Sequence, residues 1–129
     1  MSDEGMRHTV VIADDEPDIR ELVSIAATKA GLEIVASVSD GASALAAIRE
    51  HRPDLAILDI SMPEMNGIDV CRAARSDPES GDLRILLLSA SVDDSARAIG
   101  IAAGADYFFA KPFSPRELVA WLAIGKEPR

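Results

Sequence analysis

Three aspartates, a serine and a lysine carry the chemical interest of this sequence. Asp14 and Asp15 directly follow the aliphatic run Val10-Val11-Ile12-Ala13, Asp59 follows Leu55-Ala56-Ile57-Leu58, Ser89 follows Ile85-Leu86-Leu87-Leu88, and Lys111 follows Tyr107-Phe108-Phe109-Ala110. Carboxylates gathered in one place repel. Two of them about 5 Å apart at an effective dielectric of about 20 cost roughly 3 kcal/mol, a large part of the roughly 5–15 kcal/mol that holds a domain together. Partial protonation offsets such repulsion, and so does a hard divalent cation. Mg²⁺ is the better fit because it prefers carboxylate, carbonyl and water oxygens. A dication held this way keeps coordination sites and charge for a phosphoryl group, whose remaining oxygens suit a nearby lysine and hydroxyl. Asp59 is then placed to act as the nucleophile and form an acyl phosphate.

What must bring these residues together is a βα alternation. Short strands are expected at Thr9 to Ala13, Glu33 to Val38, Leu55 to Leu58, Ile85 to Leu88 and Tyr107 to Ala110. Unbroken apolar runs suit central parallel strands covered on both faces, since a half-exposed strand would alternate. Between them, Ile19, Leu22, Val23, Ala26, Ala27 and Ala30 mark one face of a first helix, with Pro17 in its first turn and Gly31 at its C-terminal cap. Further helices are expected at about Gly41 to His51, Ile68 to Arg75 and Asp94 to Ala103, with Gly104 after the last of these. The fifth opens on the capping box Ser114-Pro115-Arg116-Glu117 and continues through Leu118, Val119 and Leu122. Five units are too few for an eight-stranded barrel, so the expected fold is α/β, a doubly wound open parallel sheet. In such a sheet ligands bind beyond the carboxyl ends of the strands, where the strand order reverses. Taken singly, each candidate residue is equally well explained as a turn former or helix cap. Jointly they converge on one edge.

With 22 acidic and 13 basic residues among 129, the formal charge is −9, and 48% of the chain is apolar. This composition excludes a disordered chain and argues against direct nucleic-acid binding, which draws on clustered Lys and Arg. The apolar runs are too short for a membrane span, and the acidic start Met1-Ser2-Asp3-Glu4 lacks the features of a signal peptide, so a cytoplasmic location is expected. A lone cysteine, Cys71, excludes an internal disulfide or CxxC pair and reads as a packing residue. His8 and His51 show no ligand spacing and read as ordinary surface residues. Trp121 suits a protein-binding face as well as a cover for the sheet.

Four fragments together identify a family. Ile12-Ala13-Asp14-Asp15-Glu16, the segment from Asp54 through Asp59 to Ser61-Met62-Pro63-Glu64-Met65-Asn66-Gly67, Leu88-Ser89-Ala90, and Gly104-Ala105-Asp106 running on to Lys111-Pro112-Phe113 resemble the receiver domains of two-component response regulators. Their spacing, 44 residues from Asp15 to Asp59, 30 on to Ser89 and 22 on to Lys111, makes the combination specific. The resemblance implies a CheY-like, flavodoxin-like sheet of order 2-1-3-4-5, and a single receiver domain over residues 1–129, stand-alone or excised from a longer regulator. It implies that Asp59 accepts a phosphoryl group from the phosphohistidine of a sensor histidine kinase or a histidine phosphotransfer protein. Asp14, Asp15, Asp59 and the backbone carbonyl of Ser61 would hold Mg²⁺, Lys111 would pair with the phosphoryl oxygens, and Ser89 and Phe108 would form the switch. The Lys111-Pro112 bond would be cis.

The same resemblance makes the fourth helix, fifth strand and fifth helix the face read by a downstream protein target, with a homodimer as a further possibility. Because the sequence stops at Arg129, output is expected through partner binding unless the chain is a fragment. Phe108 stands where Tyr is frequent, Glu64 where Gly is frequent and Asn66 where Asp is frequent. Ser61 and Ser91 occupy positions that tune phosphate lifetime in the family. Two other functions compete. An aspartate-nucleophile phosphohydrolase calls for a second Asp two residues after the nucleophile, where this chain has Ser61. A phosphorylation-independent receiver-like interaction module is disfavoured by the complete set of Asp14, Asp15, Asp59, Ser89 and Lys111.

Overall fold

The computed structural model describes residues 8–80, 82–90 and 94–125. Ser91, the acidic segment Met1 to Arg7 and the chain end at Arg129 lie outside the described residues. The elements run β1 (Thr9–Ala13), α1 (Pro17–Lys29), β2 (Glu33–Val38), α2 (Gly41–His51), β3 (Leu55–Asp59), α3 (Gly67–Arg75), a 3₁₀ turn (Pro78–Ser80), β4 (Arg84–Ser89), α4 (Asp94–Ala102), β5 (Tyr107–Ala110) and α5 (Pro115–Gly125). The strands form one parallel sheet of order β2-β1-β3-β4-β5. That is the expected doubly wound fold, and its order reverses between β1 and β3.

Successive strand residues point to opposite faces, so each apolar run supplies two cores. Val11, Ala13, Leu58 and Leu87 pack with Ala44 and Ile48 of α2 and Val70 and Cys71 of α3, while Val10, Ile12, Ile57 and Leu88 pack with Val23 and Ala27 of α1 and Leu118 and Leu122 of α5. This two-sided demand is why the three central strands carry polar residues only at their ends. The edge strand β2 is only partly covered, as its Glu33 and Ser37 anticipate.

The helix ends follow their local chemistry. The Asp40 side chain accepts from Ser43 N at 2.7 Å and caps α2, and Asn66 accepts from Asp69 N at 2.8 Å and caps α3. Ser114 Oγ accepts from Glu117 N at 3.3 Å, the first half of the expected capping box. Gly31 takes φ +88° after α1, the left-handed conformation that glycine adopts most readily. Glu64 takes φ +73°, which explains why glycine is frequent at that loop position. Among the described residues no helix is long and apolar enough to cross a membrane.

Candidate functional site

Strand register carries the candidate residues to one edge. Ala13 pairs with Leu58, Asp59 with Leu88, and Ser89 with Ala110. Asp14, Asp59, Ser89 and Lys111 therefore end or directly follow adjacent, in-register strands. Backbone bonds continue the alignment past the strands: Ile60 N donates to Leu88 O at 2.9 Å and Lys111 N to Ser89 O at 2.7 Å. Gly67 closes the loop after β3 so tightly that a Cβ there would stand 2.4 Å from the Asp59 carbonyl oxygen, a contact no side chain tolerates.

Among the described residues, Asp14, Asp59 and Ser89 are the buried polar ones. Lys111 reaches over them. Its Nζ lies 3.0 Å from Asp14 Oδ2, 3.1 Å from Asp59 Oδ1 and 3.0 Å from Glu16 Oε1. Glu16 is the one participant the sequence reading passed over. It occupies the N-cap of α1, yet its side chain makes no capping bond and extends instead to a lysine 95 residues away. Nothing local signals that reach; a third acid after Asp14-Asp15 reads equally well as a helix start. Meanwhile Asp14 Oδ1 accepts from Glu16 N at 2.9 Å, and Arg20 donates to the Asp14 carbonyl at 2.8 Å, fixing the β1–α1 turn.

Burial in this acidic notch shifts both partners. The Asp59 carboxyl is pushed up to about 6, chiefly by burial and further by the Asp14 and Asp15 charges, with Lys111 pulling the other way. For Lys111, burial opposes the charge but is outweighed by the close Asp14, Glu16 and Asp59 carboxylates, which hold the ammonium above the ordinary lysine range.

The donor set fits a hard dication. One carboxylate oxygen from each of Asp14, Asp15 and Asp59 can be chosen so that all lie within 4.8 Å of one another. Opposite ligands of an octahedral Mg²⁺ stand about 4.2 Å apart, so small carboxylate rotations close the set. Asp14 Oδ2 is wholly buried and receives no hydrogen bond; its contact with Lys111 is an ion pair outside hydrogen-bond geometry. The Lys111 ammonium supplies the cation that such a buried oxygen needs, and a bound dication would share that role. Asp15, by contrast, is exposed, and Ser61 lies exposed in the loop two residues past β3.

Phe108, on β5, is 3% exposed, and the Lys111-Pro112 bond is cis, as the resemblance implies. Cys71 is buried with its Sγ donating to Ala103 O at 3.3 Å, and burial pushes the thiol up to about 11, which fits the packing role. Trp121 stacks on Tyr107 at 5.2 Å beneath the Arg84 guanidinium at 4.8 Å, covering the β5 edge.

Comparison with known proteins places this geometry. The family described as the response regulator receiver domain matches residues 10–123. Among curated proteins, the DNA-binding response regulator MtrA of Mycolicibacterium smegmatis is 44% identical over 115 residues, which cover 89% of this chain and 49% of MtrA. The chain thus spans about half the length of that relative. The chemotaxis response regulator CheY4 of Vibrio cholerae superposes with a TM-score of 0.84 at 32% identity, covering 92% of this chain and 98% of CheY4. The CheX–CheY–BeF₃–Mg²⁺ complex of Borrelia burgdorferi superposes with a TM-score of 0.80 at 25% identity, covering 88% of this chain and 84% of the matched chain.

Proposed function

The chain belongs to the response regulator receiver family, and from that premise we propose that Asp59 is its phosphoacceptor. The observation that carries the reading is the meeting of Asp14, Asp59 and Lys111 within about 3 Å contacts at the switch point of the sheet. Phosphoryl transfer needs little covalent work from a protein; positioning and charge stabilisation supply most of the rate. A phosphohistidine donor presents a P–N bond. An Asp59 oxygen attacks phosphorus, the P–N bond breaks, the electron pair returns to the imidazole, and an acyl phosphate remains.

For that attack Asp59 must be ionised. Its raised pKa of about 6 leaves the carboxylate the major form at neutral pH. Asp14, Asp15, Asp59 and the Ser61 carbonyl would hold Mg²⁺, which when bound supplies positive charge toward the transferring oxygens. The similar Borrelia burgdorferi complex, which contains BeF₃ and Mg²⁺ together, is in keeping with this reading. Lys111, already within 3.1 Å of Asp59 Oδ1, needs only a small movement to pair with a phosphoryl oxygen. Ser89, at the end of β4 beside Asp59, offers its hydroxyl to another oxygen, and Phe108 reports the change to the α4–β5–α5 face. A sensor histidine kinase or histidine phosphotransfer protein is the proposed donor, and a protein docking on that face the proposed reader. The role is that of a phosphorylated switch rather than of an enzyme acting on external substrates.

The test uses phosphoramidate, a small P–N donor, with the intact mass as readout. The wild type should gain one phosphoryl group with Mg²⁺ and none in EDTA, and Asp59→Asn should gain none. Equal modification of Asp59→Asn would refute the assignment.

A further inference from the structure

We propose that Gly100 is the seat that holds the Phe108 ring buried, so that α4 helps to set the position of that ring. The inference rests on the switch role given to Phe108 above and adds the residue that governs it.

Gly100 lies in the last turn of α4 and has ordinary helical backbone, so nothing in its conformation calls for glycine. A glycine within a helix costs up to about 1 kcal/mol relative to alanine. Packing supplies the reason for it. A Cβ at position 100 would stand 2.9 Å from Leu87 Cδ1, 3.3 Å from Phe108 Cδ2 and 3.5 Å from Phe108 Cε2. Leu87 is fully buried in the central strand β4, where close packing limits how far its methyl group can yield. Phe108 is on the edge strand β5, directly paired with Leu87. Strain introduced at position 100 therefore falls on Leu87 and on the ring together.

Arg97 completes the seat. It precedes Gly100 by three residues, on the same face of α4, and its guanidinium lies 5.4 Å from the Phe108 ring centroid, within cation–π range. The helix thus offers the ring a cation on one side and a missing side chain on another. Beyond the seat, the end of α4 is anchored: Cys71 Sγ donates to Ala103 O at 3.3 Å and Arg75 Nε to Gly104 O at 2.8 Å. With that end fixed, a shift of the helix at Gly100 opens or closes the space for the ring. If an occupied Asp59 favours the buried ring, anything that crowds the ring must weaken occupancy of Asp59 by the same factor.

The experiment measures the apparent affinity of the purified chain for beryllofluoride with Mg²⁺, a phosphoryl mimic, by fluorine NMR. Four proteins form a cycle: wild type, Gly100→Ala, Phe108→Val and the double variant. Gly100→Ala should weaken binding roughly fivefold or more, and less than about twofold in the Phe108→Val background, where the smaller side chain leaves room. An equal loss in both backgrounds, or no loss in the first, overturns the proposal. Should Gly100→Ala fail to fold, proton NMR on the wild type decides. Nuclear Overhauser contacts between the Gly100 α-protons and the Phe108 ring should strengthen on beryllofluoride binding, and their absence refutes the seat. Failure of the wild type to bind beryllofluoride would instead strike the Asp59 assignment, and the same contacts in the free protein would still judge the seat.

Discussion

Replacing Asp59 by asparagine should make the metal-free fold more stable. The folded-state pKa of Asp59 is about 6 against an ordinary 3.8, so between those values the folded protein binds more protons than the unfolded chain. Stability from this group is therefore lost as the pH rises through that window. At pH 7.5 the ionised side chain costs about 3 kcal/mol, and at pH 5 about half as much. That figure already includes the favourable contact with Lys111, which keeps Asp14 and Glu16 as partners in the variant. Allowing about 1 kcal/mol for burying the neutral amide, Asp59→Asn should gain about 2 kcal/mol at pH 7.5 in EDTA. For a domain of this size that is roughly 5–10 °C in Tm. Denaturant titrations at pH 5 and 7.5 measure both the gain and its pH dependence, and saturating Mg²⁺ should narrow the gap by stabilising the wild type more. A variant no more stable than wild type at pH 7.5, or a gap that does not grow with pH, would refute the reasoning.

Other side chains give equally definite expectations. Arg75 donates to Gly104 O, Leu83 O and the Asp106 carboxylate, tying α3 to the start of β4 and the α4–β5 turn; Arg75→Ala should cost about 2–4 kcal/mol in urea unfolding, and a loss below about 1 kcal/mol would show the network to be dispensable. Glu64→Gly relieves a left-handed residue and should raise stability by about 0.5–1 kcal/mol, whereas a loss would mean the Glu64 side chain compensates. Lys111→Met removes a cation 3.0–3.1 Å from two carboxylates of the proposed metal site and should strengthen Mg²⁺ binding severalfold by calorimetry. Weaker binding in that variant would mean the ammonium organises the carboxylates rather than competing for them.

Much of this was legible in the sequence because the pattern and the chemistry coincide. Apolar runs such as Ile85 to Leu88 demand cover on both faces, which forces a doubly wound sheet, and the sheet carries Asp14, Asp59, Ser89 and Lys111 to one edge. Asp59 and Ser89 were expected just beyond their strands and instead close them, because the loops continue the backbone pairing by one more residue. What stayed hidden depends on tertiary approach. Glu16 looks like a helix cap until Lys111 arrives from the far end of the chain. Arg75 looks like an ordinary basic residue at a helix end until Gly104 and Asp106 fold against it. The 3₁₀ turn at Pro78–Ser80 carries no hydrophobic period by which to be noticed.

The most direct measurement of the central claim is chemical location of the phosphoryl group. Borohydride reduces an acyl phosphate to an alcohol and leaves free carboxylates intact, so treatment after phosphorylation converts the acceptor aspartate to homoserine. Peptide sequencing by mass spectrometry should find homoserine at position 59 alone, only when donor and Mg²⁺ were both present. Homoserine at position 14 or 15, or at 59 regardless of Mg²⁺, would contradict the account.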